Sequence, residues 1–203
     1  MTTKAMATLA ILLAAHAVMA EEKTYPKAKV SYDDFKSLVA EVEPHRQKRL
    51  VDLGAFLKMS TQPNVIILDT RSAFRYERIH LKGAKHLSFT DFTQENLRKV
   101  IPSEETTVLI YCNNNFDGNQ TDFATKVFVP RPRDGLKSQF VWQRKPVMLA
   151  LNVPTYITLY GYGYRNVYEL NELVNVTDTR IVFDGTIIDR TKPPLLAPQP
   201  SGK

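Results

Sequence analysis

One cysteine in 203 residues leaves no partner for an internal disulfide. Cys112 is therefore a buried inert thiol, an intermolecular bridge or a reactive group. No apolar run is long enough to span a bilayer: the stretch Ala5 to Ala15 is too short and is interrupted by His16. No cysteine follows that stretch, which excludes a lipoprotein anchor there. There is no internal repeat, so a solenoid is not expected. Only four histidines occur, and no Cys, His or carboxylate lies at ligand spacing around His80, so no metal is expected. With 43% hydrophobic and 24% charged residues, the chain is not of a disordered composition and suits one globular domain with extensions.

The first residues, "MTTKAMATLAILLAAHAVMA", combine Lys4, the apolar run and small residues at Val18 and Ala20 before "EEK". They read as a secretory signal over residues 1–20. Export is expected, to the periplasm if the host is bacterial, with no stable membrane insertion once the signal is removed. Removal takes Lys4 and no acidic residue, so the formal charge falls from +6 to +5 (6 − 1). A basic balance of this size suits an anionic partner or a spread of solvated lysines.

From Ser31 to Val42 the apolar positions Tyr32, Phe35, Leu38, Val39 and Val42 share one helical face, with Ser31 and Asp34 as a capping-box-like start and Pro44 as the expected end. Leu50, Val51, Leu53, Phe56 and Leu57 mark a second amphipathic stretch. Residues 21–58 thus read as an N-terminal helical extension. The pattern then becomes regular: "VIILDT" as strand, "SAFRYERI" as helix, "AKHLSF" as strand, "TQENLRKV" as helix and "TVLIYC" as strand. Such alternation predicts βαβ units and an α/β domain over residues 59–190, a mostly parallel central sheet with helices on both faces.

Cys112 closes an apolar strand without alternation, Val108 to Tyr111, and is followed by the turn-forming Asn113, Asn114, Asn115, Phe116, Asp117 and Gly118. Ligands collect beyond the carboxyl ends of parallel strands, so this position suits chemistry. Residues of about 119–146 carry three prolines and no periodicity and read as a surface insertion, with Phe128, Phe140, Trp142 and basic Arg131, Arg133, Arg144 and Lys145. It is expected to be a lid, a partner-docking surface or a packed insertion. A helix is expected from near Pro146 or Val147 and a last strand near Asn166 to Leu170. Tyr160, Tyr162, Tyr164 and Tyr168 are expected to pack that region rather than stack nucleobases, and no nucleic acid is expected. The proline-rich residues 191–203 read as a disordered tail.

Three features in order, a strand ending in Asp69 and Arg71, the segment "YERIHLKGAKHL", and a strand ending in Tyr111 and Cys112, resemble the rhodanese family. The family text is Asp-x-Arg, then Glu-Tyr-x-x-Gly-His-Ile-x-Gly-Ala, then Tyr-Cys. Tyr76, Glu77, His80, Gly83 and Ala84 occupy the middle positions, and "GYRNVYEL" is similar to the segment after the active loop. The resemblance implies a rhodanese-like fold and a sulfurtransferase. Cys112 would take the outer sulfur of an anionic donor such as thiosulfate and pass it, as a persulfide, to a thiol or cyanide. Asn113 to Gly118 would cradle the anion, Arg71 and Lys126 would attract it, and Asp69, Glu77, His80 and Gly83 would serve the structure; read by themselves, Asp69 and Arg71 suit a structural ion pair or turn anchors better than catalysts. No cofactor is implied.

One departure stands out: the first basic residue after Cys112 is Lys126, whereas active rhodaneses carry Arg or Lys a few residues beyond the cysteine. The same gap disfavours a phosphatase, which needs a bidentate arginine. Two other classes stay open: a non-catalytic rhodanese-like module binding a protein or anionic ligand, and a single-thiol redox sensor. The sensor lacks a resolving cysteine within the chain.

Overall fold

The structure is a computed structural model that describes residues 25–129 and 146–188. The expected signal, the tail and the basic residues Arg131, Arg133, Arg144 and Lys145, with Phe140 and Trp142, lie outside the described residues. The chain divides into two compact units after Ser31. In the first, residues 25–31 are exposed and carry no helix or strand.

The second unit runs α1 (Tyr32–Gln47), β1 (Leu50–Val51), α2 (Leu53–Ser60), β2 (Val65–Asp69), α3 (Ala73–Arg78), β3 (His80–Leu81), β4 (Lys85–His86), α4 (Gln94–Val100), β5 (Thr107–Tyr111), β6 (Phe116–Asp117), β7 (Val127–Phe128), β8 (Val147–Met148), α5 (Asn152–Gly161), β9 (Val167–Leu170), β10 (Val174–Asn175) and β11 (Phe183–Asp184). The main sheet has the order β1-β9-β5-β2-β4, and every pairing within it is parallel.

Side-chain alternation assigns the two faces. Ile66, Leu68, Val108, Ile110 and Val167 pack against Val42 of α1, Leu97 of α4 and Tyr156 and Leu159 of α5. Val65, Ile67, Leu109, Tyr111 and Leu170 face Leu53 and Phe56 of α2, with Phe116 and Phe123. Both faces are covered, which is why β5 reads as a continuous apolar run.

The N-terminal segment is part of this core. β1 pairs with β9, registering Leu50 with Glu169 and Val51 with Leu170, and Leu53 and Phe56 are fully buried. The boundary expected between residues 58 and 59 falls inside α2, so residues 50–58 belong to the sheet domain and not to a helical extension. Pro44 does not end α1 either: the helix continues to Gln47. Proline removes one helical hydrogen bond and strains the turn. The last turn is held from outside, by His45 Nδ1 against the Tyr156 hydroxyl at 3.0 Å and by Arg46 on Glu169. Of the apolar stripe expected to face inward, Leu38 and Val42 do so, while Tyr32, Phe35 and Val39 are exposed.

Two helix starts follow the sequence. Asp52 caps α2 through Ala55 N–H at 2.7 Å, and Thr93 caps α4 through Asn96 N–H at 3.1 Å. The strand expected over 84–89 is only Lys85–His86, because Phe89–Asp91 form a 3-10 turn. The insertion is not wholly superficial: Asp122 and Phe123 are buried, and β7 pairs antiparallel with β8 where it leaves and rejoins the domain.

Candidate functional site

The chain leaves β2 toward β4 on one side and leaves β5 toward β9 on the other. Adjacent strands whose connections part in this way open a crevice at their carboxyl ends. Arg71 follows β2 and Cys112 follows β5, so topology alone brings them to one crevice. There a cavity of about 260 Å³ is lined by Arg71, Arg75, Cys112, Asn113, Asn114 and Lys126, among others.

Cys112 is extended, with φ −145° and ψ −173°, and only 1% exposed. Its N–H donates to Asn115 Oδ1 at 2.9 Å, and the same oxygen accepts from Asn152 Nδ2 at 2.9 Å. Asn115 Nδ2 donates to Leu170 O at 2.7 Å and Glu172 O at 3.2 Å. One amide therefore ties the cysteine loop to the start of α5 and the end of β9. Among the described residues, Asn152 Oδ1 is a buried acceptor without a partner.

The sulfur lies within reach of the backbone N–H groups of Asn114, Asn152 and Leu151. Two of these belong to the start of α5, whose partial positive charge favours an anion. Burial pushes the Cys112 thiol up, the three N–H groups pull it down, and Glu169 pushes it up again; the result lies above the ordinary value. The resting group is thus a neutral thiol already provided with donors for a negative charge.

Arg71 is buried and committed. Its Nη2 meets Asp69 Oδ2 at 2.7 Å and Ile79 O at 2.5 Å, and its Nη1 donates to Asn113 Oδ1 at 3.3 Å. Its guanidinium lies 4.7 Å from the Phe123 ring centroid. Burial opposes its charge most, but the hydrogen bond to Asp69, the Asp69 charge and Tyr111 together outweigh it and hold Arg71 ionised. The Tyr111 hydroxyl donates to Asp69 Oδ2 at 2.5 Å and accepts from Leu81 N–H at 3.1 Å. Burial raises Tyr111 well above its usual range, which keeps it a neutral donor.

His80 braces the turn that follows α3. Its Nδ1 meets Tyr76 O at 2.7 Å, and its ring stacks on Tyr76 at 3.9 Å. His86 stacks on the other flank of Tyr76 and reaches Arg71 O at 2.8 Å. Tyr76 in turn donates to Ala84 O at 2.8 Å, and Gly83 takes φ +81° in the turn between. Glu77 is exposed, and its backbone carbonyl accepts from Thr186.

The expected cradle is brought together only in part. Asn113, Asn114, Arg71 and Lys126 line the cavity with Cys112. Phe116 turns into the core, Asp117 pairs with β10, and Gly118 packs by Asn175, so none of these three lines it. Lys126 arrives because the Asn114 amide grips its backbone, Nδ2 to O at 3.0 Å and N–H to Oδ1 at 3.1 Å. Sequence reading missed Arg75, Leu151 and Asn152. Arg75 sits one turn into α3 after the Arg71 motif and could have been found by that spacing; the other two are far away in sequence and carried no local signal.

The model of the rhodanese-like domain matches residues 52–172, more than half of the chain. The chain belongs to the rhodanese-like domain family. Within the rhodanese-like domain, the match starts at the cap of α2 and ends just after β9, so α1, β1, β10 and β11 lie outside it. No curated protein matches the chain. Among solved structures it is similar to the BH2092 protein from Bacillus halodurans, with 18% identity over 64% of this chain and 74% of that one, at a TM-score of 0.37.

Proposed function

We propose that this chain is a rhodanese-like sulfurtransferase with Cys112 Sγ as the sulfur carrier. The supporting observation is a lone thiol at the crevice between β2 and β5, facing backbone N–H groups of Asn114, Leu151 and Asn152 that suit a negative sulfur. After the thiol loses its proton, Sγ attacks the outer sulfur of thiosulfate. The donor S–S bond breaks, sulfite leaves with the electron pair, and an Sγ–S bond forms. A thiolate or cyanide then attacks the terminal sulfur and Sγ leaves as thiolate. No net oxidant is needed. Arg75 and Lys126 at the rim would draw in the anionic donor, while Arg71 would act through Asn113 and Asp69. Residues 1–20 would direct export, to the periplasm in a bacterium.

Thiosulfate and cyanide should yield thiocyanate with the wild type and none with Cys112→Ser. A second reading, an anion- or protein-binding module without turnover, is favoured by two observations: burial holds the thiol protonated, and Arg71 is already committed to Asp69. That reading takes over if no thiocyanate forms while thiosulfate still binds equally to wild type and Cys112→Ser.

A further inference from the structure

Glu169 is a carboxylate with 4% exposure inside the sheet. Alternation along β9 puts it on the face of Val167, toward α1 and α5. Its Cα partner on β5 is Ile110, so Cys112, two residues further along, is its diagonal neighbour on the same face. A buried negative charge there opposes formation of a second one on the sulfur. It is met from α1: Arg46 Nε and Nη2 each donate to one oxygen of Glu169 at 2.6 Å. Such a bidentate fork is a strong charge-assisted arrangement for a carboxylate. Arg46 precedes the family match, which begins at residue 52.

We propose that Arg46 and Glu169 are positioning residues for the thiol: the N-terminal helix supplies the guanidinium that masks the carboxylate beside Cys112, and thereby controls how readily that sulfur becomes a nucleophile. The proposal rests on the reading of Cys112 as the reactive atom. Pairing converts the field of Glu169 from that of a charge to that of a dipole, which decays faster with distance. Glu169 and Arg46 both act on Tyr156 of α5, which also feels Arg49 and Tyr168 and is met at its hydroxyl by His45. Tyr156 is raised by burial, so it stays neutral, and His45 is lowered by burial and by Arg49. The cavity that Cys112 lines is also lined by Arg71, which is paired with Asp69, and by Arg75 and Lys126. None of these replaces Arg46 on the carboxylate.

Because Cys112 is the only thiol, the pH dependence of its alkylation by iodoacetamide in the full chain reports on this site alone. Arg46→Met should move the alkylation midpoint up by about one unit, a tenfold slower reaction at neutral pH. Glu169→Gln should move it down, and the double variant should follow Glu169→Gln. Arg46→Lys should lie near the wild type. Shifts in one direction for both single variants, or no shift in either with melting curves showing a folded protein, overturn the proposal. If Arg46→Met does not fold, Glu169→Gln and Arg46→Lys decide: a midpoint for Glu169→Gln at or above the wild type overturns it. Sulfur loading of the wild type is read separately by mass. Absence of loading with the alkylation shifts intact sinks the transfer reading alone.

Discussion

At Cys112, burial and hydrogen bonding act in opposite directions, and burial wins. A thiol held above its unfolded value binds its proton more tightly in the native state. Its contribution to stability is complete below the unfolded value of about 8.5 and is lost as pH rises through the folded value. The urea midpoint of the wild type should therefore fall above about pH 8.5. Cys112→Ser should fall less over the same interval, since it lacks the raised thiol while the raised tyrosines still titrate. Identical pH slopes for the two proteins would contradict this account of the thiol. At this scale the sequence was informative about identity and poor about surroundings. Cys112, Asp69 and Arg71 were legible from their places at strand ends. That Arg71 would pair with Asp69 was legible too; that it would also be held by the Ile79 carbonyl was not, because that contact depends on how α3 returns to β3.

Among the elements, those with a repeating signal were the readable ones. β2 and β5 announce themselves by apolar runs, and α4 by its place between two such strands. The extension of α1 past Pro44 was hidden because the contacts that hold it, Tyr156 and Glu169, lie more than a hundred residues away. β10 and β11 were hidden because two-residue ladders have no periodicity. Phe116 illustrates a different failure: the turn-like text around Cys112 suggested an anion nest, but an aromatic ring gains more from the Phe123 and Phe183 cluster than from the cavity edge. The short ladder of β11 with β3 rests on Gly185, which takes φ +132° and where a Cβ would meet Arg78 O at 2.3 Å. Gly83 also needs positive φ, at +81°, but has open space around it. Gly83→Ala should cost about 1 kcal/mol, from the left-handed conformation alone. Gly185→Ala should cost distinctly more, about 3 kcal/mol, since backbone must shift as well. Denaturant titration checks both, and equal costs would refute the assignment of a steric role to Gly185.

For the molecule as a whole, the family boundary at residue 52 and the physical boundary do not coincide. The α/β class, the parallel sheet and the crevice were all legible from alternation of strand and helix text. The contribution of residues 32–51 was not, since His45 and Arg46 lie beyond the helix end expected at Pro44 and their partners are more than a hundred residues away. A chain begun at Asp52 would lose β1, expose the contacts of Val42, and take Arg46 from Glu169. Each fully buried apolar side chain uncovered costs about 1.5–3 kcal/mol, against a total stability of roughly 5–15 kcal/mol. Such a truncation should show a much lower urea midpoint, or no cooperative transition, while an unchanged midpoint would mean that α1 is dispensable.

The central claim, that this sulfur carries another sulfur, is tested most directly by intact-mass spectrometry after incubation with thiosulfate, with Cys112→Ser treated alongside. The account predicts a gain of about 32 Da, one sulfur as a persulfide, on the wild type and none on the variant. An unmodified wild type, with the thiol verified as free and several sulfane donors tried, would contradict it.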